Sequence, residues 1–194
     1  MRDKLCGCSH RGVENKEDIK DMAWYVMRDL TRSNALMPAW KLLESEGYEV
    51  YTPMVWKVVK RGVSRTRERV PVIHDLLFVK SSRELLDPEV MRIPTLQYRF
   101  VRGAWGKAME VSEEDMERFI RATRSTDDVI YYKPSELTPA MVGKRVMIFG
   151  GPLDGMTGNL LSIKGMRKRR LLVELPDTLI SAVDVSPQYI KIIE

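Results

Sequence analysis

The chain has 194 residues, of which 44% are hydrophobic and 30% charged, with a formal net charge of +5. That length holds one large domain or two small ones, and the apolar content is enough for a buried core. The mild cationic excess suits contact with nucleic acid or an acidic partner, no apolar run approaches the roughly 20 residues that cross a membrane, and no apolar signal segment opens the chain, so a cytoplasmic protein is the expectation.

Residues 1–20 are polar and without period and read as a disordered tail. They hold both cysteines, Cys6 and Cys8, near His10. Three candidate ligands with no fourth nearby make a poor structural metal site, and reduced thiols in a cytosolic tail are the simpler reading. Residues 22–28 form an aromatic and β-branched strand. Ser33 or Asn34 can then cap a helix over residues 35–46, with Leu36, Ala39, Trp40 and Leu43 at helical spacing, Pro38 in its first turn and Gly47 at its end. Residues 48–59 read as the longest strand. They lead into a basic loop, residues 60–69, shaped as a hairpin tip. The chain returns over residues 70–79, and the continuous apolar run 76–79 predicts a strand buried on both faces. A short helix interrupted by Pro88, a strand over 96–102 and a helix opened by Ser112 with an acidic first turn complete the first half. Met116, Phe119, Ile120 and Thr123 line the last helix. Together these elements predict an α+β layer over residues 21–124.

Residues 125–137 lack a period and read as a linker. From residue 138 onward the pattern changes to short strands at 145–149, 157–163, 170–175 and 189–193, joined by turns at 151–155, 164–168 and 176–187. Such a set closes into a small barrel, which removes its exposed edges. In its first strand Val146 and Ile148 face one side, and Arg145, Met147 and Phe149 the other. The strand runs into Gly150-Gly151-Pro152-Leu153-Asp154-Gly155, where glycines allow the turn and proline sets φ.

This strand and turn, Gly143, Val146, Ile148, Gly151, Pro152, Gly155 and Gly158, resemble the KOW motif shared by NusG-type transcription elongation factors and several ribosomal proteins. Trp24-Tyr25-Val26 resembles the strand that opens the N-terminal (NGN) domain of the NusG family, and the order of an α+β domain, a linker and a KOW domain is also that family's. The resemblance covers residues 22–194. His74-Asp75-Leu76, ahead of Phe78-Val79, departs from the aromatic-Pro-Gly-Tyr of housekeeping members. It is more similar to specialised RfaH-like, UpxY-type antiterminators of capsular polysaccharide operons. The resemblance implies an NGN antiparallel sheet with helices followed by an SH3-like KOW barrel.

It also implies a function: binding RNA polymerase at the clamp helices of its largest subunit, suppressing pausing or termination, and recruiting Rho or a small-subunit ribosomal protein through the KOW domain. Carried over to this chain, the polymerase surface falls on elements holding Tyr25, Ile73, Leu76, Phe100, Met116 and Phe119, although a buried core needs apolar residues at those places too. The basic stretch Lys60, Arg61, Arg65, Arg67 and Arg69, extended by Arg28, Arg32 and Lys41, is placed to meet phosphates of upstream or non-template DNA. Lys164, Arg167, Lys168, Arg169 and Arg170 form a second basic turn, open to RNA, a ribosomal partner or solvent. The glycines of the KOW turn and the β-rich strands argue against a helical refolding of residues 138–194.

An enzyme fails on inventory, because His10 and His74 are the only histidines and no phosphate-binding or dinucleotide fingerprint occurs. No cofactor is expected. The competing reading is a KOW-containing RNA-binding or ribosome-associated protein.

Overall fold

The computed structural model describes residues 22–32, 35–62 and 64–193. The tail with Cys6, Cys8 and His10, and the expected caps Ser33 and Asn34, lie outside the described residues.

Strand β1 (Ala23–Asp29) is the centre of the first sheet. Helix α1 (Ala39–Ser45) starts later than its periodicity suggests, because Pro38 sits in an extended conformation ahead of it. Its first amide is capped from a distance. Asp29, a buried carboxylate at the end of β1, accepts from Ala39 N at 2.7 Å and from Thr31 N at 2.9 Å. The expected long strand divides at Thr52-Pro53 into β2 (Glu49–Tyr51) and β3 (Met54–Arg61). Among the described residues β3 then pairs only with β4 (Ser64–Pro71), as a separate ribbon. The basic stretch is therefore mostly strand, not loop: Arg61 pairs with Ser64 across the turn, and Arg65, Arg67 and Arg69 lie along β4.

β5 (Leu76–Ser81) lies between β2 and β1, and its run of buried residues matches a strand covered on both faces. α2 (Arg83–Arg92) continues through Pro88, capped by the Ser82 hydroxyl, which accepts from Leu85 N. β6 (Leu96–Tyr98) and β7 (Glu110–Val111) both pair with β1, antiparallel like the rest of the sheet. In α3 (Glu113–Arg124) the Ser112 hydroxyl caps the first turn by accepting from Asp115 N at 3.2 Å.

Strand alternation then sorts the first sheet's residues. Tyr25, Met27, Leu77 and Val79 face α1 and α2 in one core cluster. Trp24, Val26, Leu76 and Phe78 face the opposite way and join α3.

The supposed linker contains β8 (Ile130–Tyr132), an edge strand of a second, six-stranded antiparallel sheet. The others are β9 (Val142–Ile148), β10 (Thr157–Leu161), β11 (Arg170–Leu175), β12 (Leu179–Asp184) and β13 (Ile190–Ile192), in the order β13-β9-β10-β11-β12-β8. β12 occupies what reads in sequence as a turn. Its residues Leu179 to Val183 are all buried, so they show no alternation, and prolines on either side suggest a loop.

Arg170, whose side chain is 6% exposed, ties β8's lead-in to this sheet. Its guanidinium donates to Asp128 Oδ2 at 2.9 Å and to Asp128 O at 3.0 Å. Its Nε lies 3.0 Å from Asp184 Oδ1, a charge contact without hydrogen-bond alignment. Lys168 reaches the same two carboxylates at 2.7 and 2.9 Å. The expected basic turn is thus half neutralised: Lys168 and Arg170 hold Asp128 and Asp184, while Lys164, Arg167 and Arg169 are exposed.

Two predictions follow from this packing. A Cβ on Gly158 would stand 2.7 Å from Leu172 O, and one on Gly143 2.9 Å from Leu160 O, both backbone atoms that cannot step aside. Gly158→Ala is expected to destabilise the second sheet by about 1–3 kcal/mol, read as a fall of several degrees in Tm. Lys168, then Arg170, hold the Asp128 carboxyl below its ordinary pKa. A depressed pKa stabilises the fold above the unfolded-state value, and the benefit is lost as pH falls through the folded value. Asp128→Asn should therefore lower Tm equally from about pH 8 to 5, and the difference from the unsubstituted protein should shrink as the pH falls below about 4, the ordinary carboxyl value.

Candidate functional site

α3 is the strongly amphipathic element of the chain. Its sequence places Met116, Phe119, Ala122 and Thr123 on one stripe, all buried, and charges elsewhere. It touches both sheets: β1 of the first and β11 and β12 of the second. Trp24, Val26, Leu76 and Phe78 from the first sheet, Met116 and Phe119 from α3, and Val146, Ile148, Leu171, Val173 and Val183 from the second form one contiguous buried cluster. Tyr51 meets Phe119 edge-on at 6.2 Å, and Phe119 meets Tyr131 of β8 at 6.3 Å. The Tyr51 hydroxyl hydrogen-bonds the Thr123 hydroxyl at 2.6 Å. Burial raises the pKa of both Tyr51 and Tyr131.

Polar contacts fix how the two sheets sit. On the exposed flank of α3, Arg118 donates to Thr157 O at 3.1 Å and Arg121 to Asp154 O at 3.3 Å. These acceptors belong to the glycine-rich turn and the strand after it. The turn is built as its residues require. Gly150 and Gly151 have φ of 82° and 71° and lie against the Tyr189 ring, where a side chain would be strained. Asp154 accepts from Gly150 N, and Gly155 N donates to Ile148 O at 2.9 Å, closing the loop. Val146 and Ile148 point into the shared core, as their alternation predicts. Pro152 faces the first unit across a 570 Å³ cleft, also lined by Trp24, Lys80, Glu113 and Arg121.

The six apolar candidates separate into two groups. Leu76, Met116 and Phe119 lie together, buried, on the face that α3 and the second sheet cover, and half-buried Ile73 packs against them. Tyr25 points the other way, into the α1 and α2 core, because neighbouring strand residues face opposite sides. There it meets Tyr98 edge-on at 5.8 Å, and Tyr98 in turn meets Phe100 at 6.4 Å. Phe100 is exposed and lies outside the covered face. The family resemblance points to Tyr25, whereas Trp24 is the residue of that strand on the face shared with Phe119.

The cations are also divided. On one face of the β3–β4 ribbon Trp56 pairs with Arg69, Val58 with Arg67 and Lys60 with Arg65. Arg67 lies over the Trp56 ring at 4.9 Å and Arg69 at 6.0 Å. The indole donates to Asp127 Oδ1 at 3.2 Å, which anchors the ribbon to the connection between the sheets. Arg28 belongs to the first sheet and is ion-paired to Asp75 at 3.1 Å, which also binds Arg99 at 3.3 Å. Arg32 is exposed beyond β1, and Lys41 rests over Trp40. The ribbon therefore carries the main basic surface, and Arg28 does not extend it.

Among the described residues no group of histidine, cysteine, aspartate and glutamate is placed to hold a metal, and no helix is long and apolar enough to cross a membrane.

None of the curated proteins compared with this chain matches it. Among solved structures, one described as "Domain interaction in Thermotoga maritima NusG" is similar with a TM-score of 0.42 and 15% identity, covering 90% of this chain and 99% of that one. The family profile described as "Transcription termination factor nusG" matches residues 22–120, from the start of β1 into α3 and just over half of the chain. With that match across the whole first sheet, the chain belongs to the NusG family of transcription factors.

Proposed function

We propose that this chain is a non-catalytic elongation factor that binds RNA polymerase through the face carrying Leu76, Met116 and Phe119, and reduces pausing or termination. The observation that supports the reading is that this apolar face is covered by the chain's own C-terminal sheet. Each large apolar side chain uncovered costs about 1.5–3 kcal/mol, so the sheet leaves only when another apolar surface replaces it. The clamp helices of the polymerase's largest subunit are that surface in this reading. Polymerase and the C-terminal sheet then compete for one face, and the docked form is the inactive one.

The C-terminal sheet is, in the same reading, a small KOW barrel. Once displaced, it is free to recruit a partner such as Rho or a small-subunit ribosomal protein, with Lys164, Arg167 and Arg169 as its exposed cations. The β3–β4 ribbon supplies Lys60, Arg65, Arg67 and Arg69 to upstream or non-template DNA. His74-Asp75-Leu76 favours a specialised, operon-associated RfaH-like or UpxY-type member, with capsular polysaccharide synthesis the operon class.

Two experiments test this. Transcription in vitro on a long template should show shortened pauses when the protein is added, and unchanged pausing and termination would overturn the reading. Arg118→Ala combined with Arg121→Ala removes two partly exposed hydrogen bonds that fasten the C-terminal sheet, together about 1–2 kcal/mol. The double variant is expected to bind core polymerase about 5- to 30-fold more tightly. Equal or weaker binding would show that the docked sheet does not occupy the polymerase surface.

A further inference from the structure

Residues 99–109 close a stiff arch on the edge of the first sheet. Arg99 N donates to Val26 O at 2.9 Å and Met109 N to Arg99 O at 2.7 Å; higher up, Val101 N donates to Lys107 O at 2.9 Å and Ala104 N to Val101 O at 3.1 Å. At the top of this arch Trp105 is fully exposed, and Phe100 is 53% exposed with its ring set against Tyr98. The two rings line one open groove of 570 Å³ with Val101, Gly103 and Ala104. Arg102 and Lys107 are exposed on the same arch and form no ion pair among the described residues. From Gln97 to Met109 the sequence contains three cations and no carboxylate.

We propose that this arch is a stacking platform for single-stranded DNA, with bases on Trp105 and Phe100 and phosphates on Arg102 and Lys107. Free aromatic faces beside unpaired cations are the two features that single-strand binders combine, and stacking tolerates any base. Duplex DNA already stacks its bases, so open rings gain from it only after unstacking it. An apolar protein partner accounts for the rings but leaves two desolvated cations unanswered. The exposed polar side chains of the arch are Arg102, Lys107 and the Trp105 indole, and stacking on rings with phosphates on cations needs no ribose 2′-OH. The platform is distinct from the β3–β4 ribbon, whose Trp56 ring is already overlaid by Arg67. It also lies outside the face that the second sheet covers, so it is available in the docked form and does not depend on the polymerase reading.

The test is fluorescence anisotropy of a labelled oligothymidylate of about 12 nucleotides with the full-length protein. Trp105→Ala alters only an exposed ring and should leave the circular dichroism spectrum and Tm unchanged while weakening binding about 5- to 100-fold. Phe100→Ala should weaken it similarly, and Arg102→Ala with Lys107→Ala should flatten its salt dependence. A duplex of the same length should compete poorly, and an oligouridylate should bind no more tightly than the DNA. Unchanged affinity in Trp105→Ala overturns the proposal. So does loss of polymerase association with oligothymidylate binding intact, which makes the arch a protein contact. A tenfold preference for the oligouridylate overturns the assignment to DNA.

Discussion

The burial of one helix stripe, Met116, Phe119 and Ala122 of α3, is the constraint on which this architecture depends. A twelve-residue helix with a charged outer surface is marginal by itself and needs apolar neighbours. The first sheet provides some of them through Trp24, Val26 and Phe78. The second sheet provides the rest, through the strands that touch α3. Because both sheets contribute to one buried cluster, the C-terminal unit completes the core of the N-terminal one and is not a separate bead on a string. Arg118 and Arg121 add direction to this non-directional burial by binding main-chain carbonyls at and just after the glycine-rich turn.

Electrostatics assigns the connection between the units to two adjacent aspartates. Asp127 accepts the Trp56 indole proton of the β3–β4 ribbon, whereas Asp128 is held by Lys168 and Arg170 of the second sheet. One peptide bond therefore separates a residue fastened to the ribbon from one fastened to the C-terminal sheet. β8, which starts two residues after Asp128, belongs structurally to that sheet.

The exposed charges and rings lie away from this buried cluster. On the ribbon, cations cover an aromatic ring and leave a basic ladder. On the arch, two rings are open and the cations flank them. The first arrangement presents charge and the second presents flat apolar faces, so the same residue types offer different chemistry according to backbone register. The arch lies outside the face that the second sheet covers.

Local rules settled much of this in advance. The alternation of Val146 and Ile148, the Ser112 cap of α3, the apolar run of β5 and the glycines of the turn each express short-range sterics or hydrogen bonding, which a sequence carries directly. Trp24-Tyr25 and the turn were enough to suggest the family. Long-range partners decided the rest. α1 is capped by Asp29, ten residues ahead of the amide it receives, and β12 is buried throughout, so neither follows from a local pattern. The same holds for Phe119: its sequence position marks it as apolar, but only the arrival of a second sheet decides whether it is core or contact surface. Tyr25 and Trp24 are neighbours of similar chemistry, and which one shares the face with Phe119 depends on the register of β1 against β5. That register is set by packing on both sides of the sheet, a property of the assembled tertiary structure.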